Sequence, residues 1–399
     1  MKISIKKTTP FVIWIVFSFF LIFFQYNIQP VFKYITYYDD IFPILLILFY
    51  VYKRKINFIK SDTTILILLI CIFFIGYMGN LNNGFNNRLD LIGSDYIGII
   101  KCLLTYIVLK NILSKKEVKD TVDIIAYFLQ IYVFIAFICY FLALLFNWNW
   151  MFKQVRFGIG TFGFIHGYAG DGWMGYFLEI ACCFFAMSNR IKYKKITLIC
   201  AIFLCIMTLK GPSLLFCAFV VYFYYIVKGK KLSRKQIIIT VLIGACAGAW
   251  FINRYLLTPG EARFYLNTYG LKISLDKFPI GLGFGTFGSD ISRDFYSPAY
   301  SLYGLNNFHG LGAHGNVSYI TDTYWGMILG QFGFAGFIIM AYIYYSIFLT
   351  INRANGEKLP KSIVLAMFFS LMAGSLGSAY LTSYIGVLCF FTIGLYVKL

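Results

Sequence analysis

Long apolar runs alternate with short polar connections along the whole chain, as in proteins that cross a membrane many times. A hydrocarbon core of about 30 Å takes roughly 20 apolar residues per helix. The runs predict about twelve transmembrane helices, at residues 10–28, 38–52, 63–80, 96–110, 121–146, 168–188, 196–209, 212–227, 236–252, 323–350, 362–378 and 381–397. We therefore predict an all-α polytopic integral membrane protein, with residues 1–399 as a single membrane domain.

Basic residues concentrate in every second connection. Lys and Arg in short loops resist translocation, so these connections indicate the cytoplasmic side. Most of the 35 Lys and Arg residues lie near the N-terminus, in the connections at 53–60, 110–119, 190–195, 228–235 and 353–361, or at Lys398. The pattern predicts that both termini are cytoplasmic and that residues 253–321 form one long extracytoplasmic loop.

Composition agrees with this interpretation, since 60% of the 399 residues are hydrophobic and only 13% are charged. The net charge of +19 lies mostly in short runs beside the predicted helices, where an anionic lipid leaflet is the expected neighbour. We expect membrane lipids as partners and no nucleic acid. All ten cysteines fall within predicted helices, which gives no support to a disulfide framework or a Cys/His zinc site.

Ionisable residues at membrane depth are costly, so each is a functional candidate. Lys101 lies inside the fourth predicted helix. Three alternative roles fit it there: lining a polar cavity, pairing with an acid such as Asp95, or extending to the interface. Glu179 lies deeper and either partners a buried base or lines a cavity. Lys210 precedes Gly211 and Pro212 at a predicted break between two helices, so we expect a cation at the outer mouth of the protein.

The long loop at 253–321 carries its own local signals. Thr258 and Glu261 match a capping box with Pro259 at the first helical position, which predicts a short amphipathic or interfacial helix starting near Pro259 and ending before Pro279. A glycine-rich stretch follows at residues 281–288. No strand precedes it, so a dinucleotide-binding loop is disfavoured. Its glycines allow either the approach of an anion to backbone N–H groups or a tight turn.

Two histidines, an amide and an aspartate close the loop, and they suggest proton transfer. His309, His314 and Asp322 lie near the start of the tenth predicted helix, together with Asn316. No Ser or Cys nucleophile stands at a recognisable spacing, so the set favours activation of a substrate hydroxyl over covalent catalysis. A His/Asp metal site and histidines that only bind the backbone are the alternatives.

A family resemblance rests on three segments. Arg156 lies in an earlier outer loop and Arg263 in the long loop. Arg263 is followed by Pro279-Ile-Gly-Leu-Gly-Phe-Gly-Thr-Phe-Gly, then by the His/Asn/Asp group, and then by Trp325-Gly-Met-Ile-Leu-Gly-Gln-Phe-Gly-Phe-Ala-Gly. In this order they resemble the O-antigen ligase and polymerase superfamily over roughly residues 150–340. The resemblance implies a GT-C-like architecture in the cytoplasmic membrane of a bacterium. Asp322-Thr-Tyr-Trp is more similar to the polymerases, and His314-Gly-Asn316 approximates the ligases.

The resemblance further implies a metal-independent glycosyltransferase without a cofactor. Its donor would be an oligosaccharide on undecaprenyl pyrophosphate, and a flippase and a chain-length regulator would be partners. Arginine forks suit phosphate oxygens, so Arg156 and Arg263, with Lys210 as a third cation, are the candidates for binding pyrophosphate. The base is His309, His314 or Asp322. A transporter or lipid-linked oligosaccharide flippase is the alternative from another class, because about twelve helices suit a transporter as well.

Overall fold

The computed structural model describes residues 9–52, 60–156, 158–164, 171–226 and 257–399, together with isolated positions between 235 and 253. Most of the described residues are helical. The helices are α1 (Pro10–Phe23), α2 (Gln25–Ile28), α3 (Tyr38–Tyr52), α4 (Lys60–Asn83), α5 (Leu89–Ile112), α6 (Lys115–Leu145), α7 (Asp171–Met187), α8 (Lys194–Met207), α9 (Gly211–Ile226), α10 (Ala262–Asp276), α11 (Asp290–Asp294), α12 (Pro298–Leu302), α13 (Tyr324–Arg353), α14 (Lys358–Gly374) and α15 (Tyr384–Lys398). The predicted helix at 236–252 lies almost wholly outside the described residues. Every other predicted helix overlaps a described one.

Five helical segments are long and apolar enough to cross a membrane, namely Lys33–Tyr52, Lys60–Asn83, Leu89–Ile112, Lys115–Leu145 and Tyr324–Arg353. Four shorter apolar helices accompany them, at Pro10–Phe23, Trp173–Met187, Gly211–Ile226 and Tyr384–Lys398. The structure is thus compatible with the expected all-α membrane protein. It also contains a β-hairpin that the sequence pattern did not predict, formed by β1 (Phe152–Arg156) and β2 (Ile159–Phe162).

The helices pack around a core rich in aromatic side chains. Helices α1, α7 and α15 meet where the ring of Phe19 lies 5.3 Å from that of Phe184 and 5.2 Å from that of Phe391. Helix α5 packs along α15, α9 along α14, and α10 along α13. In the α10–α13 pair, Gly270 faces Gly326 so closely that an added Cβ on Gly270 would lie 2.4 Å from the carbonyl oxygen of Gly326.

Helix α10 is the helix predicted within the long loop, but its start is different from the prediction. The helix begins at Ala262 with Glu261 as its N-cap residue, and Glu261 makes no side-chain capping bond. The hydroxyl of Thr258 instead donates to the carbonyl of Asn253 at 2.9 Å. The capping box predicted at Thr258 and Glu261 and the helix start predicted near Pro259 are therefore wrong, while the predicted end before Pro279 is confirmed.

The glycine segment, residues 281–288, is inserted between α4, α5 and α13. Asn80 of α4 makes two bonds to Phe284: its Nδ2 donates to the Phe284 carbonyl at 2.9 Å, and its Oδ1 accepts from the Phe284 N–H at 2.8 Å. Asp95 of α5 accepts from the N–H of Gly285 at 2.6 Å. Since Gly283 has a φ of 98° and an added Cβ would lie 2.4 Å from the Asn80 nitrogen, glycine is required there.

On the other side, the glycine segment binds the backbone of α13. The N–H groups of Leu282 and Gly283 donate to the carbonyls of Gly330 and Gln331 at 3.0 and 2.8 Å. Helix α13 is interrupted at Gly333, whose φ is 61° and ψ is −162°. These contacts use the N–H groups of the segment inside the protein. The positive φ of Gly281, Gly283, Gly285 and Gly288 supports the tight turn, and the anion that a backbone N–H of the segment contacts is the Asp95 carboxylate within the protein.

Lysines at the basic ends of the helices cap the preceding helix. Lys194 Nζ donates to the carbonyls of Ala186 and Ser188 near the end of α7, at 2.7 and 2.9 Å. Lys361 Nζ donates to the carbonyl of Asn352 near the end of α13, at 2.6 Å. The last carbonyls of a helix lack partners within it and carry a partial negative charge. Part of the large positive charge of the chain therefore stabilises helix ends.

Candidate functional site

An ion pair joins two of the residues predicted from the sequence. Arg263 lies in the first turn of α10, and Asp322 lies two residues before α13 begins. Arg263 Nη2 is 2.9 Å from Asp322 Oδ2, and the side chains are 27% and 21% exposed. Because α10 packs along α13, the pair is held by two adjoining helices and still reaches solvent.

Asp322 has the properties of a modest proton acceptor. Burial raises the pKa of its carboxyl above the ordinary value of 3.8, and the nearby Arg263 guanidinium opposes this rise without cancelling it. Desolvation disfavours the charged form of a carboxyl, whereas a neighbouring cation favours it. A carboxylate with a raised pKa accepts a proton more readily than an ordinary aspartate.

A second pair of predicted residues meets at the break between α8 and α9. Arg156, at the end of β1, donates from Nη1 to the carbonyl of Leu209 at 3.2 Å and from Nη2 to Gln154 Oε1 at 3.2 Å. Lys210 follows Leu209 directly, and both Arg156 and Lys210 are partly exposed. The β-hairpin thus brings Arg156, from one predicted outer loop, to the backbone beside Lys210.

Both pairs border one turn, residues 374–376, where α14 ends. On the Asp322 side, the N–H of Tyr324 donates to the Ser375 carbonyl at 3.1 Å. On the Lys210 side, Pro212 lies close to Gly374, since a Cβ added there would be 3.2 Å from the Pro212 Cγ. The backbone after Lys210 and the backbone after Asp322 therefore both adjoin this turn, and Asn267 of α10, four residues after Arg263, also reaches it through the Leu376 carbonyl at 3.4 Å.

The two histidines of the loop belong to a separate, exposed group. His309 Nε2 lies 3.3 Å from the side-chain nitrogen of Asn316, and its ring centroid is 5.8 Å from that of Tyr319. His314 is exposed and has a φ of 54°, in the left-handed region. The described contacts join Asp322 to Arg263 and not to either histidine. Of the three candidate bases, Asp322 is therefore the one placed beside a candidate pyrophosphate-binding residue.

Lys101 and Glu179 have partners in the interior of the bundle. Lys101 Nζ forms ion pairs with Asp39 and, at 2.7 Å, with Asp40, both at the start of α3. The acid that the sequence suggested for it, Asp95, binds the glycine segment instead. Glu179 is fully buried and accepts from the hydroxyl of Ser370 at 3.1 Å. The ion pairs favour a structural role for Lys101. Glu179 has no basic partner among the described residues, and its buried Oε2 has no hydrogen-bond partner there, so its cavity-lining role stays a prediction.

Asn80, Asp95 and Gln331, the residues that position the glycine segment, were missed as a set by sequence reasoning. Gln331 Nε2 donates to the carbonyl of Phe287 at 2.9 Å and completes the set. A signal was present, because each of them is a polar residue inside an apolar helix. Such residues usually have a specific partner within the protein.

Comparison with known proteins adds no relatives, since no family model and no curated protein matches this chain.

Proposed function

We propose that this protein is a polysaccharide repeat-unit polymerase at the outer face of the bacterial cytoplasmic membrane. It would transfer a glycan from undecaprenyl pyrophosphate to a hydroxyl on the sugar of a second lipid-linked repeat. The proposal keeps the predicted twelve helices, the GT-C-like architecture and the outward direction of the long loop. The observation that carries it is the Arg263–Asp322 ion pair, in which we assign the carboxylate as proton acceptor and the guanidinium as phosphate-binding group.

In the proposed reaction, the acceptor hydroxyl oxygen attacks the anomeric carbon of the donor sugar. The bond from that carbon to the phosphate oxygen breaks, and undecaprenyl pyrophosphate leaves with the electron pair. The hydroxyl proton passes to Asp322. Arg263 engages Oδ2 of Asp322, so Oδ1 is the oxygen that would receive the proton.

Negative charge develops on the departing pyrophosphate and requires cations placed in advance. Arg263 would supply one fork of N–H donors, and Arg156 with Lys210 would supply further positive charge from the other side of the 374–376 turn. The guanidinium of Arg156 is already oriented by Leu209 and Gln154, which lowers the cost of ordering it on binding. Energy for the transfer comes from the sugar–phosphate bond, so the proposal needs neither a nucleotide nor a metal.

The test is polymer formation by the purified full-length protein in lipid nanodiscs supplied with lipid-linked repeats and a metal chelator. We expect a ladder of products from the wild type. Asp322→Asn should lower the rate by about 10²–10⁴-fold, the usual contribution of a general base. Arg263→Lys should also lower it, because a lysine cannot offer the bidentate fork.

A matched control is the exposed pair of Arg88 and Asp90, whose side chains are 60% and 63% exposed and 2.6 Å apart. Arg88→Lys and Asp90→Asn should leave the ladder unchanged. A wild-type protein that makes no ladder, but moves single repeats between the leaflets of a liposome, would refute the polymerase and favour the flippase. A strict metal requirement would revive the metal site at the histidines.

A further inference from the structure

A cavity of about 390 Å³ lies at the opposite end of α13 from Asp322. Its lining comes from the start of α6, the end of α7, the turn between α13 and α14, and the end of α15, with Lys119, Val122, Asp123, Met187, Asn189, Arg190, Asn355, Gly356, Glu357, Pro360, Tyr396 and Leu399. The part of α13 that follows the interruption at Gly333, residues 334–353, is alone about 30 Å long. The cavity is thus far from the candidate site and takes no part in the proposed reaction.

One wall of the cavity carries two cations. Arg190 Nε lies 3.1 Å from Asp123 Oδ2, and Asp123 also accepts from the hydroxyl of Ser188 at 2.6 Å. Lys119 lies one turn before Asp123 on α6, so both side chains lie on the same face of that helix. The Arg190–Asp123 contact uses Nε, and the Arg190 side chain as a whole is 65% exposed. Asp123 offsets one of the two positive charges, so this wall keeps one net positive charge, which favours a ligand that carries an anion such as phosphate.

A buried hydroxyl in the lining needs a partner. Tyr396 is only 3% exposed, and its hydroxyl oxygen has no hydrogen-bond partner among the described residues. It lies beside Gly356, where an added Cβ would be 3.0 Å from it. A buried polar group left without a partner typically costs about 1–3 kcal/mol. A ligand oxygen in the cavity would remove this cost.

The rest of the lining narrows the choice of ligand. Glu357 contributes an exposed carboxylate from the α13–α14 turn, and Val122, Met187, Pro360 and Leu399 contribute apolar surface. A free phosphate uses neither the carboxylate nor the apolar side chains. A phospholipid with an amine in its head group uses all of them. The volume also lies within the usual range for small-molecule sites.

We propose that this cavity binds the zwitterionic head group of an amine-bearing phospholipid. Lys119, Arg190 and the Tyr396 hydroxyl hold the phosphate, Glu357 holds the ammonium, and the apolar residues contact the glycerol end. The site lies on the face that the basic loops predict to be cytoplasmic. It would tie the ends of α6, α7, α13 and α15 together on the side opposite the candidate site.

The test is lipid binding to the delipidated full-length protein in detergent, followed by native mass spectrometry and by thermal unfolding. The probes are phosphatidylethanolamine, phosphatidylglycerol and inorganic phosphate. We expect phosphatidylethanolamine to bind most tightly and to raise the unfolding temperature. Tyr396→Phe should weaken this binding by about tenfold or more, since it removes a hydrogen bond to a charged group.

Two further variants separate binding from folding. Gly356→Leu fills the cavity from an exposed turn and should abolish the preference for phosphatidylethanolamine. Tyr345→Phe, at a tyrosine that is 53% exposed, is the control and should bind like the wild type. If phosphatidylglycerol binds as tightly as phosphatidylethanolamine, the role of Glu357 in holding the ammonium is refuted. If inorganic phosphate alone saturates the cavity, the assignment of a lipid as the ligand is refuted. Wild-type binding by both Tyr396→Phe and Gly356→Leu would overturn the site itself.

Discussion

The contact between Gly270 and Gly326 allows a test of how α10 holds Arg263. In Gly270→Ala, the new Cβ would lie 2.4 Å from the Gly326 carbonyl oxygen, whereas ordinary contact starts at 3.4 Å. The two helices must therefore part by about 1 Å. Overpacking of this kind usually costs about 1–3 kcal/mol, and the neighbouring atom is backbone, so it cannot swing aside.

The same displacement reaches the candidate site. Arg263 lies seven residues before Gly270 on α10, two turns or about 10 Å along the helix. If α10 moves as a unit, the 2.9 Å contact between Arg263 and Asp322 is disturbed by the same displacement. Gly270→Ala should then lower polymer formation in the same direction as Arg263→Lys, although it changes no charged residue.

The assay compares chemical unfolding of Gly270→Ala and Gly98→Ala in the same detergent. Gly98 is a helical glycine of α5 with open space around it, since no atom lies within 4 Å of an added Cβ. Alanine at Gly98 should be neutral or slightly stabilising, because alanine favours the helix. If Gly270→Ala proves as stable and as active as Gly98→Ala, the close packing of α10 on α13 does not position Arg263.

Three further predictions concern other described contacts. Asn80→Ala removes both hydrogen bonds to Phe284 and leaves the buried N–H of Phe284 without a partner, so the free energy of unfolding should fall by about 2–4 kcal/mol. An unchanged unfolding midpoint would contradict the role of Asn80. Lys101→Met leaves Asp39 and Asp40 without their cation and should lower the free energy of unfolding by about 3–5 kcal/mol. Adding Asp39→Asn should restore part of that loss, which the unfolding free energy of the double variant checks. The initial rate of polymer formation should fall as the pH drops through the pKa of Asp322, because the base must be deprotonated. Burial raises that pKa above its ordinary value of 3.8. A rate that declines only below pH 3.8 would therefore argue against Asp322 as the base.

Much of the helical layout could be predicted from the sequence, because the length and apolarity of a spanning helix are local properties. The predicted segments at 38–52 and 121–146, for example, nearly coincide with Tyr38–Tyr52 and Lys115–Leu145. Basic runs were also informative, since Lys194 and Lys361 lie where helices end.

Long-range partners could not be predicted from one chain. Asn80 and Phe284 are 204 positions apart, and the glycine pattern does not indicate that the glycine segment packs against α4. Lys101 has several acids within reach in sequence, and only the packing of α3 on α5 selects Asp39 and Asp40. The pairing of Arg263 with Asp322 likewise depends on how α10 lies against α13. The residue types of the candidate site could therefore be predicted, but their grouping could not.

The 374–376 turn lies between the two parts of the fold that carry the charged residues of the candidate site, so its length affects the spacing of those parts but not the residues themselves. Arg263 is carried by α10, and Arg156 with Lys210 is carried by the hairpin and the α8–α9 break, and the two supports meet at this turn. A one-residue insertion there would change the spacing between the two supports without replacing any charged residue. Under the proposed function, the length of this turn would set the fit of the substrate independently of the residues that carry the chemistry.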